Sequence, residues 1–207
     1  MKIAFIGYGQ VGAPLADHLA RLGHDVSLAA NDPGSDSVKK AQARNGALQA
    51  LPPRQAVAEA EAVFLATPFA ANDEALKPVA DLLPGKILVD CTNPVGPGLS
   101  HGLGSAQSGS EKLQALLPQT HVIKAFSIYG FENFEDNRYP GYGVKPVMMF
   151  CGRDAAAKAQ VASLIAALLF EPIEWAGIVA AAPAIAWGGL LSVGTGYTLQ
   201  VIAQQDA

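Results

Sequence analysis

Cysteine and clustered positive charge are both scarce in this sequence of 207 residues. Its two cysteines, Cys91 and Cys151, do not make a disulfide framework or a metal-ligand set, and they are typical of a chain whose thiols stay reduced. Lysine and arginine number 14 against 18 acidic residues, the net charge is -4, and no basic cluster occurs along the chain. Because binding to nucleic acid relies on a basic patch, nucleic acid is not an expected partner.

The sequence also offers no signal-like leader and no familiar catalytic set. The first residues lead directly into an apolar strand pattern, without the basic region, apolar core and cleavage site of a secretory signal, so we expect a cytoplasmic protein. No metal-ligand spacing, Ser-His-Asp set or Cys-His pair is found. The four histidines are expected to be structural or exposed; they are His18, His24, His101 and His121.

Charge is absent from Trp175 to Gln205, a length sufficient to span a bilayer. Pro183 and several glycines interrupt this segment, and its flanks are Glu174 and Asp206 rather than basic anchors. We therefore expect no membrane span. The prediction is a buried apolar helix, sealed by the rest of the domain or by a second subunit, and hence a homodimer through this segment.

Apolar strand-like runs alternate with helical patterns through most of the chain, and half of the residues are hydrophobic. This alternation predicts an α/β fold, a Rossmann-type doubly wound and mainly parallel sheet with a C-terminal helical segment. Residues 1–177 form the predicted dinucleotide-binding domain, and residues 178–207 are its apolar extension. The predicted strands are Lys2–Ile6, Asp25–Ala30, Ala62–Ala66, Ile87–Cys91, His121–Ala125 and Val147–Cys151, with shorter ones at Ala47–Gln49 and Pro172–Trp175. The predicted helices are Gln10–Leu22, Ser35–Arg44, Asn72–Leu82, Ser110–Leu117 and one capped by Asp154 whose apolar face is Val161, Leu164, Ile165, Leu168 and Leu169.

The motif GYGQVG, Gly7 to Gly12, stands between a strand pattern and a helix pattern that Gly23 ends. In this context Gly7 allows a tight turn, Gly9 lets a phosphate approach the backbone, and Gly12 lets the helix pack on the strand. The helix start offers unpaired N–H groups and a partial positive charge. We interpret the motif as a cradle for the pyrophosphate of a dinucleotide, with a plain turn as the alternative. The predicted contacts are Gly7, Tyr8, Gly9, Gln10, Val11 and Gly12.

Four stretches occur in a recognisable order and spacing: GYGQVG, EAVFLATPF, KILVDCTNP and HVIKAFSIYGFENF. Together they resemble the NADP oxidoreductases of the coenzyme F420 (deazaflavin)-dependent family, from Lys2 to about Gly177. They are less closely similar to the cytosolic reductase domain of the membrane metalloreductases and to the N-terminal half of pyrroline-5-carboxylate reductases. The family resemblance implies hydride exchange between NADP(H), bound at the carboxyl edge of the sheet, and a flavin-like or deazaflavin ring.

The resemblance also implies which side chains border the two ligands. It implies that three groups of residues, each at the end of a strand, contact the cofactor. These are Thr67, Pro68 and Phe69, then Asn93 and Pro94, and then Ala125 and Phe126. The acceptor falls to Ser127, Ile128 and Tyr129, although the family more often has Asn or His at the first of these positions. Asn-Pro is also an ordinary turn initiator. The aromatic loop that follows either closes over a planar ring or is pinned to the core; its aromatics are Phe131, Phe134, Tyr139 and Tyr142.

The choice between NADP and NAD depends on residues just past the second strand. Ala30 takes the usual position of the acid that binds the ribose of NAD, which favours NADP. The Arg that the family resemblance implies is replaced by Asp32, whose charge repels a phosphate. Asn31 and Ser35 offer neutral hydrogen bonds instead, and Lys39 or Lys40 would supply charge if turned inward. NADP is the expected cofactor, with NAD left open.

The absence of acid–base residues fits direct hydride transfer between two cofactor rings, where the protein supplies proximity, orientation and exclusion of water. The expected activity is therefore an NADP-dependent oxidoreductase with a flavin-like or deazaflavin acceptor. Two alternatives stay open: an NAD(P)H-dependent imine or carbonyl reductase, and a non-catalytic dinucleotide-binding redox sensor.

Overall fold

The structure is a computed structural model that describes residues 1–104, 106–138 and 145–175. Its strands are β1 (Lys2–Ile6), β2 (Asp25–Ala29), β3 (Gln49–Leu51), β4 (Ala62–Leu65), β5 (Ile87–Asp90), β6 (His121–Lys124), β7 (Val147–Gly152) and β8 (Glu171–Glu174). They form one sheet in the order β3-β2-β1-β4-β5-β6-β7-β8. All neighbouring strands are parallel except β6 and β7, which are antiparallel. The predicted doubly wound, mainly parallel sheet is confirmed.

The helices are α1 (Gly12–Arg21), α2 (Asp36–Arg44), α3 (Pro53–Glu59), α4 (Asn72–Leu76), α5 (Gly109–Leu116), α6 (Glu132–Glu135) and α7 (Ala155–Ala167). Short 3₁₀ turns occur at Phe69–Ala71, Lys77–Leu82 and Pro97–Leu99. Helix α5 begins with a capping box between Ser108 and Glu111. Asp154 caps α7 by accepting a hydrogen bond from the Ala157 N–H at 2.7 Å, as predicted.

Two apolar layers cover the sheet. One layer joins Phe5 and Phe64 to Leu15 of α1 and Val161 of α7. The other packs residues such as Val63 of β4 against α3 and α5. Helices therefore lie on both faces, as near-continuous apolar strands require.

Several boundaries and faces differ from the sequence prediction. Leu169 is not on the apolar face of α7, because it follows the helix with a φ of 66° and is 51% exposed. The third strand is Gln49–Leu51 rather than Ala47–Gln49, and α3 and α6 were not predicted. The expected helix from Asn72 to Leu82 is divided into α4 and a 3₁₀ turn that begins before Pro78.

The predicted C-terminal extension, residues 178–207, lies outside the described residues, as do Tyr139 and Tyr142 of the aromatic loop. In the described part of the chain, no helix has the length and apolar character needed to cross a membrane.

Strand order reverses between β1 and β4, because the chain moves outward from β1 to β3 and then returns to the other side of β1. In open α/β sheets, ligands bind outside the carboxyl ends of the strands at such a switch point. The glycine motif lies at this point.

Candidate functional site

The three glycines of the motif occupy three different environments. A Cβ at Gly12 would lie 2.2 Å from the Gly7 carbonyl oxygen, and a Cβ at Gly7, where φ is +89°, would lie 2.6 Å from the Ala66 carbonyl carbon. A Cβ at Gly9, in contrast, would meet nothing within 4 Å. Gly7 and Gly12 are therefore required for close packing, while Gly9 borders open space at the helix start.

The remaining motif residues surround the start of α1. Gln10 is exposed, whereas Tyr8 and Val11 are half-buried and pack against the core. No side chain among the described residues caps this end of the helix. An uncapped helix start presents backbone N–H groups and the positive end of the helix dipole, which suits an anion.

A cavity of about 490 Å³ opens beside the motif. It is lined by Gly7, Tyr8 and Gly9, by Thr67, and by residues at the ends of β2 and α4. Thus the structure brings part of the predicted cofactor set around one space. The residues contributed by the end of β2, the turn after it and the start of α2 are Ala29, Asn31, Asp32, Ser35 and Ser37. Ala30, which the sequence placed at the acid position, is 1% exposed and does not line the cavity.

The cavity is poor in positive charge. Two carboxylates, those of Asp32 and Glu74, belong to its described lining, and no Lys or Arg does. Asp32 holds the local turn, since its Oδ1 accepts a hydrogen bond from the Gly34 N–H at 2.8 Å. Lys39 and Lys40 are exposed on α2 and are not part of this lining.

The segment after β4 is fixed by both polar and aromatic contacts. The Thr67 hydroxyl donates to Asn72 Oδ1 at 2.8 Å. Pro68 is exposed. The Phe69 ring packs on α5, where a Cβ at Gly109 would lie 2.9 Å from it and Lys112 Nζ lies 5.5 Å from its centroid. Thr67 therefore reaches the cavity, while Phe69 joins this segment to α5.

A buried polar network that the sequence analysis missed continues from Asn72. The Asn72 Nδ2 donates to Thr92 Oγ1 at 3.0 Å, and the Thr92 hydroxyl and N–H donate to Asp90 Oδ1 at 2.7 and 2.9 Å. Asp90 Oδ2 accepts from the Ser110 hydroxyl at 2.6 Å and lies 3.3 Å from Lys124 Nζ. The network links the carboxyl ends of β4, β5 and β6 under the candidate site.

Asn93 and Pro94 follow this network directly. Asn93 is half-buried, and its Nδ2 donates to the Ser127 carbonyl oxygen at 2.9 Å. Pro94 is buried, and its carbonyl oxygen accepts a hydrogen bond from the Gly102 N–H. The predicted pair is therefore placed at the carboxyl edge, with Asn93 joining the ends of β5 and β6.

The residues that follow β6 are deeply buried. Ala125 is 0% exposed and Phe126 is 1% exposed, with φ of 55°. Phe126 packs among Phe64, Phe134 and Phe170. Ser127 and Ile128 are also buried, and the ring of the half-buried Tyr129 lies tilted against that of Phe170, with 6.0 Å between their centroids. This packing fixes the backbone beside Asn93.

The two thiols are buried in the same region. Burial raises the pKa of the Cys91 thiol, and the neighbouring Asp90 carboxylate raises it further. Burial raises the pKa of Cys151 to about 11, with Lys124 acting in the opposite direction. Because the thiolate is the reactive form, neither cysteine is suited to nucleophilic chemistry near neutral pH. Within the ranges that the structure covers, no group of His, Cys, Asp and Glu is arranged to hold a metal ion.

The chain is similar to a known protein family in both sequence and structure. A family model described as "NADP oxidoreductase coenzyme F420-dependent" matches residues 2–94. The crystal structure of a protein from Arthrobacter sp. FB24, assigned as an F420-dependent NADP reductase, is 30% identical, with a TM-score of 0.80 and coverage of 93% of this chain and 94% of that one.

Two further proteins are less similar to this chain. Metalloreductase STEAP3 of Rattus norvegicus is 29% identical over 180 residues, which are 87% of this chain and 35% of the relative, so the chain spans about a third of that protein. A pyrroline-5-carboxylate reductase from Coxiella burnetii is 15% identical, with a TM-score of 0.67 and coverage of 99% of this chain and 68% of that one. The last similarity shows a shared fold.

Proposed function

The chain belongs to the NADP oxidoreductase, coenzyme F420-dependent family, and from this membership we propose that it transfers a hydride between NADP(H) and a flavin-like or deazaflavin acceptor. The observation that carries the proposal is the glycine motif, where Gly7 and Gly12 are closely packed and the space before Gly9 is open. A dinucleotide fits this arrangement, because its pyrophosphate requires close approach to the backbone at an uncapped helix start.

In this proposal the adenosine end of the cofactor lies toward Asn31 and Asp32, in the 490 Å³ cavity. Tyr8, Gln10 and Val11 surround the pyrophosphate, and Thr67 with Pro68 borders the sugar beyond it. Bound NADP(H) supplies or accepts the hydride. NADP rather than NAD is proposed from the family, with the neutral donors Asn31 and Ser35 near the ribose.

The protein's contribution to the transfer is positional. Asn93, Ala125 and Ser127 stand at the carboxyl ends of β5 and β6, where the reacting ring is proposed to lie. Ala125 is small and fully buried, so it adds no bulk at this strand end, and the packed Phe126 keeps the backbone after β6 in place. Ile128 and Tyr129 are proposed on the acceptor side, while Phe69 and Pro94 support the site from α5 and the loop after β5. Fixed positions and exclusion of water are the means by which a protein promotes transfer between two rings.

Reduction of an imine or carbonyl compound is the second candidate, favoured by the fold shared with pyrroline-5-carboxylate reductase. That chemistry needs a proton donor beside the substrate. Lys124 is the cation nearest to this edge of the sheet in the described network, and its ammonium group is buried against Asp90 and the Thr92 carbonyl. A donor held in that way favours the first proposal over the second.

The test is steady-state oxidation of NADPH by the purified full chain, with deazaflavin, FMN or FAD as acceptor. The loss of NADPH absorbance measures the rate, and the same assay is run in parallel with NADH. Acceptor-dependent, saturable turnover is expected. Tight binding of NADPH without turnover of any ring would contradict the proposal and support a binding module or redox sensor. Reduction of a cyclic imine without added flavin would instead support the second candidate.

We also propose that the protein is a homodimer formed through the apolar segment from Trp175 to Gln205. Trp175 packs at the edge of the described core, and the sequence after it has no charged residue until Asp206. Light scattering on the full chain is expected to give twice the monomer mass. A monomer at micromolar concentration would contradict this proposal.

A further inference from the structure

Two buried polar atoms beside the candidate site have no hydrogen-bond partner among the described residues. They are Asn93 Oδ1, after β5, and Ser127 Oγ, after β6. Ser127 is 3% exposed. Most buried polar atoms in native proteins are paired, because an unpaired one keeps the full cost of its desolvation. Two such atoms on adjacent strand ends therefore point to a ligand that pairs with both.

The hydrogen bond that Asn93 already makes identifies its unpaired side-chain atom as the amide oxygen. Its Nδ2 donates to the Ser127 carbonyl oxygen at 2.9 Å, and reversing the amide would place oxygen against oxygen. Oδ1 is thus a hydrogen-bond acceptor that requires a donor from the ligand. The Ser127 hydroxyl can donate, so together the two residues offer one acceptor and one donor.

The backbone that carries this pair is held firmly. Thr92, immediately before Asn93, has its N–H and hydroxyl bonded to Asp90, its Oγ1 bonded to Asn72, and its carbonyl oxygen bonded to the Lys124 ammonium group. Phe126, immediately before Ser127, is packed within the aromatic cluster. The acceptor and the donor are therefore preorganised on fixed strand ends, which reduces the entropy lost on binding.

We propose that Asn93 Oδ1 and Ser127 Oγ form a binding subsite for a primary carboxamide, that of the nicotinamide ring. The carboxamide N–H donates to Asn93 Oδ1, and the Ser127 hydroxyl donates to the carboxamide oxygen. This inference rests on the proposed function, because it requires a nicotinamide dinucleotide in the cradle. A ribose hydroxyl also combines a donor and an acceptor, so the experiment changes the carboxamide while leaving the ribose intact.

The experiment compares three ligands by calorimetry: NADP⁺, its 3-acetylpyridine analogue, and 2′-phospho-ADP-ribose. The analogue replaces the carboxamide NH₂ by a methyl group and keeps the carbonyl oxygen. It is expected to bind the unsubstituted protein about five- to tenfold more weakly than NADP⁺, since Asn93 Oδ1 stays unpaired. In Asn93→Leu the ratio of the NADP⁺ affinity to the analogue's affinity is expected to fall to about one. In Ser127→Ala both ligands are expected to weaken alike, so the ratio is kept.

Asn137→Leu is the matched control. It removes a similar bond, from Asn137 Nδ2 to the Leu168 carbonyl oxygen at 2.8 Å, which joins the segment after α6 to the end of α7 and involves neither Asn93 nor Ser127. The ratio of the two affinities is expected to be unchanged in this variant.

The outcomes separate the inference from the proposed function. Equal affinity of the unsubstituted protein for NADP⁺ and the acetylpyridine analogue would overturn the carboxamide subsite without requiring any variant to fold, provided that 2′-phospho-ADP-ribose binds. A ratio unaltered by Asn93→Leu would overturn it too. Failure of all three ligands and of NAD⁺ to bind would overturn the proposed function itself, and the subsite with it.

Discussion

Lys124 and Asp90 form a buried ion pair, with 3.3 Å between Lys124 Nζ and Asp90 Oδ2 and side-chain exposures of 2% and 0%. The pair joins the last residues of β5 and β6. Both charges have further partners, because Asp90 also accepts from Ser110 and Thr92 and Lys124 donates to the Thr92 carbonyl. A buried pair of this kind fixes geometry, since removing one partner leaves an uncompensated charge.

Replacement of the cation should therefore be costly. Lys124→Met leaves the Asp90 carboxylate buried without its counter-charge, and we expect it to lower the free energy of unfolding by about 3 kcal/mol or more. Urea unfolding measures the change. As a control, Asp81→Asn breaks the exposed pair with Arg54 and should leave the urea midpoint unaltered, because exposed pairs contribute little. Equal effects of the two substitutions would show that the buried pair has no special role.

Two glycines of the motif should respond differently to a methyl group. Gly9→Ala is expected to fold normally, since its Cβ meets nothing within 4 Å, yet to weaken NADPH binding at least about tenfold by filling the space proposed for the pyrophosphate. Gly12→Ala should be strongly destabilised, because its Cβ would lie 2.2 Å from the Gly7 carbonyl oxygen. Thermal unfolding and a fluorescence titration with NADPH distinguish the two effects.

Gly46→Ala is the control for Gly9→Ala, since a Cβ there also meets nothing within 4 Å and Gly46 does not line the cavity. It should leave both stability and binding unaltered. Full NADPH affinity in Gly9→Ala would contradict the assignment of the pyrophosphate to the motif.

Coenzyme preference should depend on the charge of Asp32. Asp32→Asn keeps an oxygen that can accept from the Gly34 N–H and removes the negative charge from the cavity. We expect it to tighten NADPH binding several-fold relative to NADH, with the gain decreasing at high salt. Asp25→Asn, at the opposite end of β2, should change neither affinity. If the ratio of the NADPH affinity to the NADH affinity is the same in both variants, the 2′-phosphate does not bind beside Asp32.

The buried thiols predict a loss of stability in alkali. Burial raises the pKa of Cys151 from 9.0 to about 11, so above about pH 9 the unfolded chain loses this proton before the folded one does. The contribution is present in full below that pH and falls as pH rises toward the folded pKa. Between about pH 8 and 10 the loss should be about 1 kcal/mol for this thiol. Urea unfolding of Cys151→Ala should show a correspondingly shallower pH dependence.

The strands and the glycine motif were predictable because their signals are local. Apolar runs such as Ile3 to Ile6 are buried on both faces, and the motif stands directly between a strand and a helix. The network under the site gave no such signal. Asp90 and Lys124 each interrupt an apolar run, and their partnership depends on two strands being adjacent across 34 positions of sequence.

Solvent exposure was likewise set by tertiary contacts. Phe126 follows a strand, and three aromatic rings from distant segments enclose it, which no local pattern around β6 indicates. Leu169 follows Ile165 at helical spacing in the sequence, but the chain leaves α7 before reaching it and adopts a positive φ there. Helix α3 was missed because only Ala56 and Val57 of its seven residues are buried, which is too few for a periodic pattern.

Because the strand order reverses at β1, the residues to vary in protein engineering fall into two separate groups. The residues proposed to face the adenosine end come from β2 and the segment after it, on one side of β1, whereas Asn93 and Ser127 come from the ends of β5 and β6 on the other. Libraries that alter coenzyme choice can therefore be confined to residues 29–37, and libraries that alter the acceptor to the residues proposed on the acceptor side, such as Ile128 and Tyr129. Since these two sets share no contact with one another among the hydrogen bonds of the described residues, gains from each are expected to add.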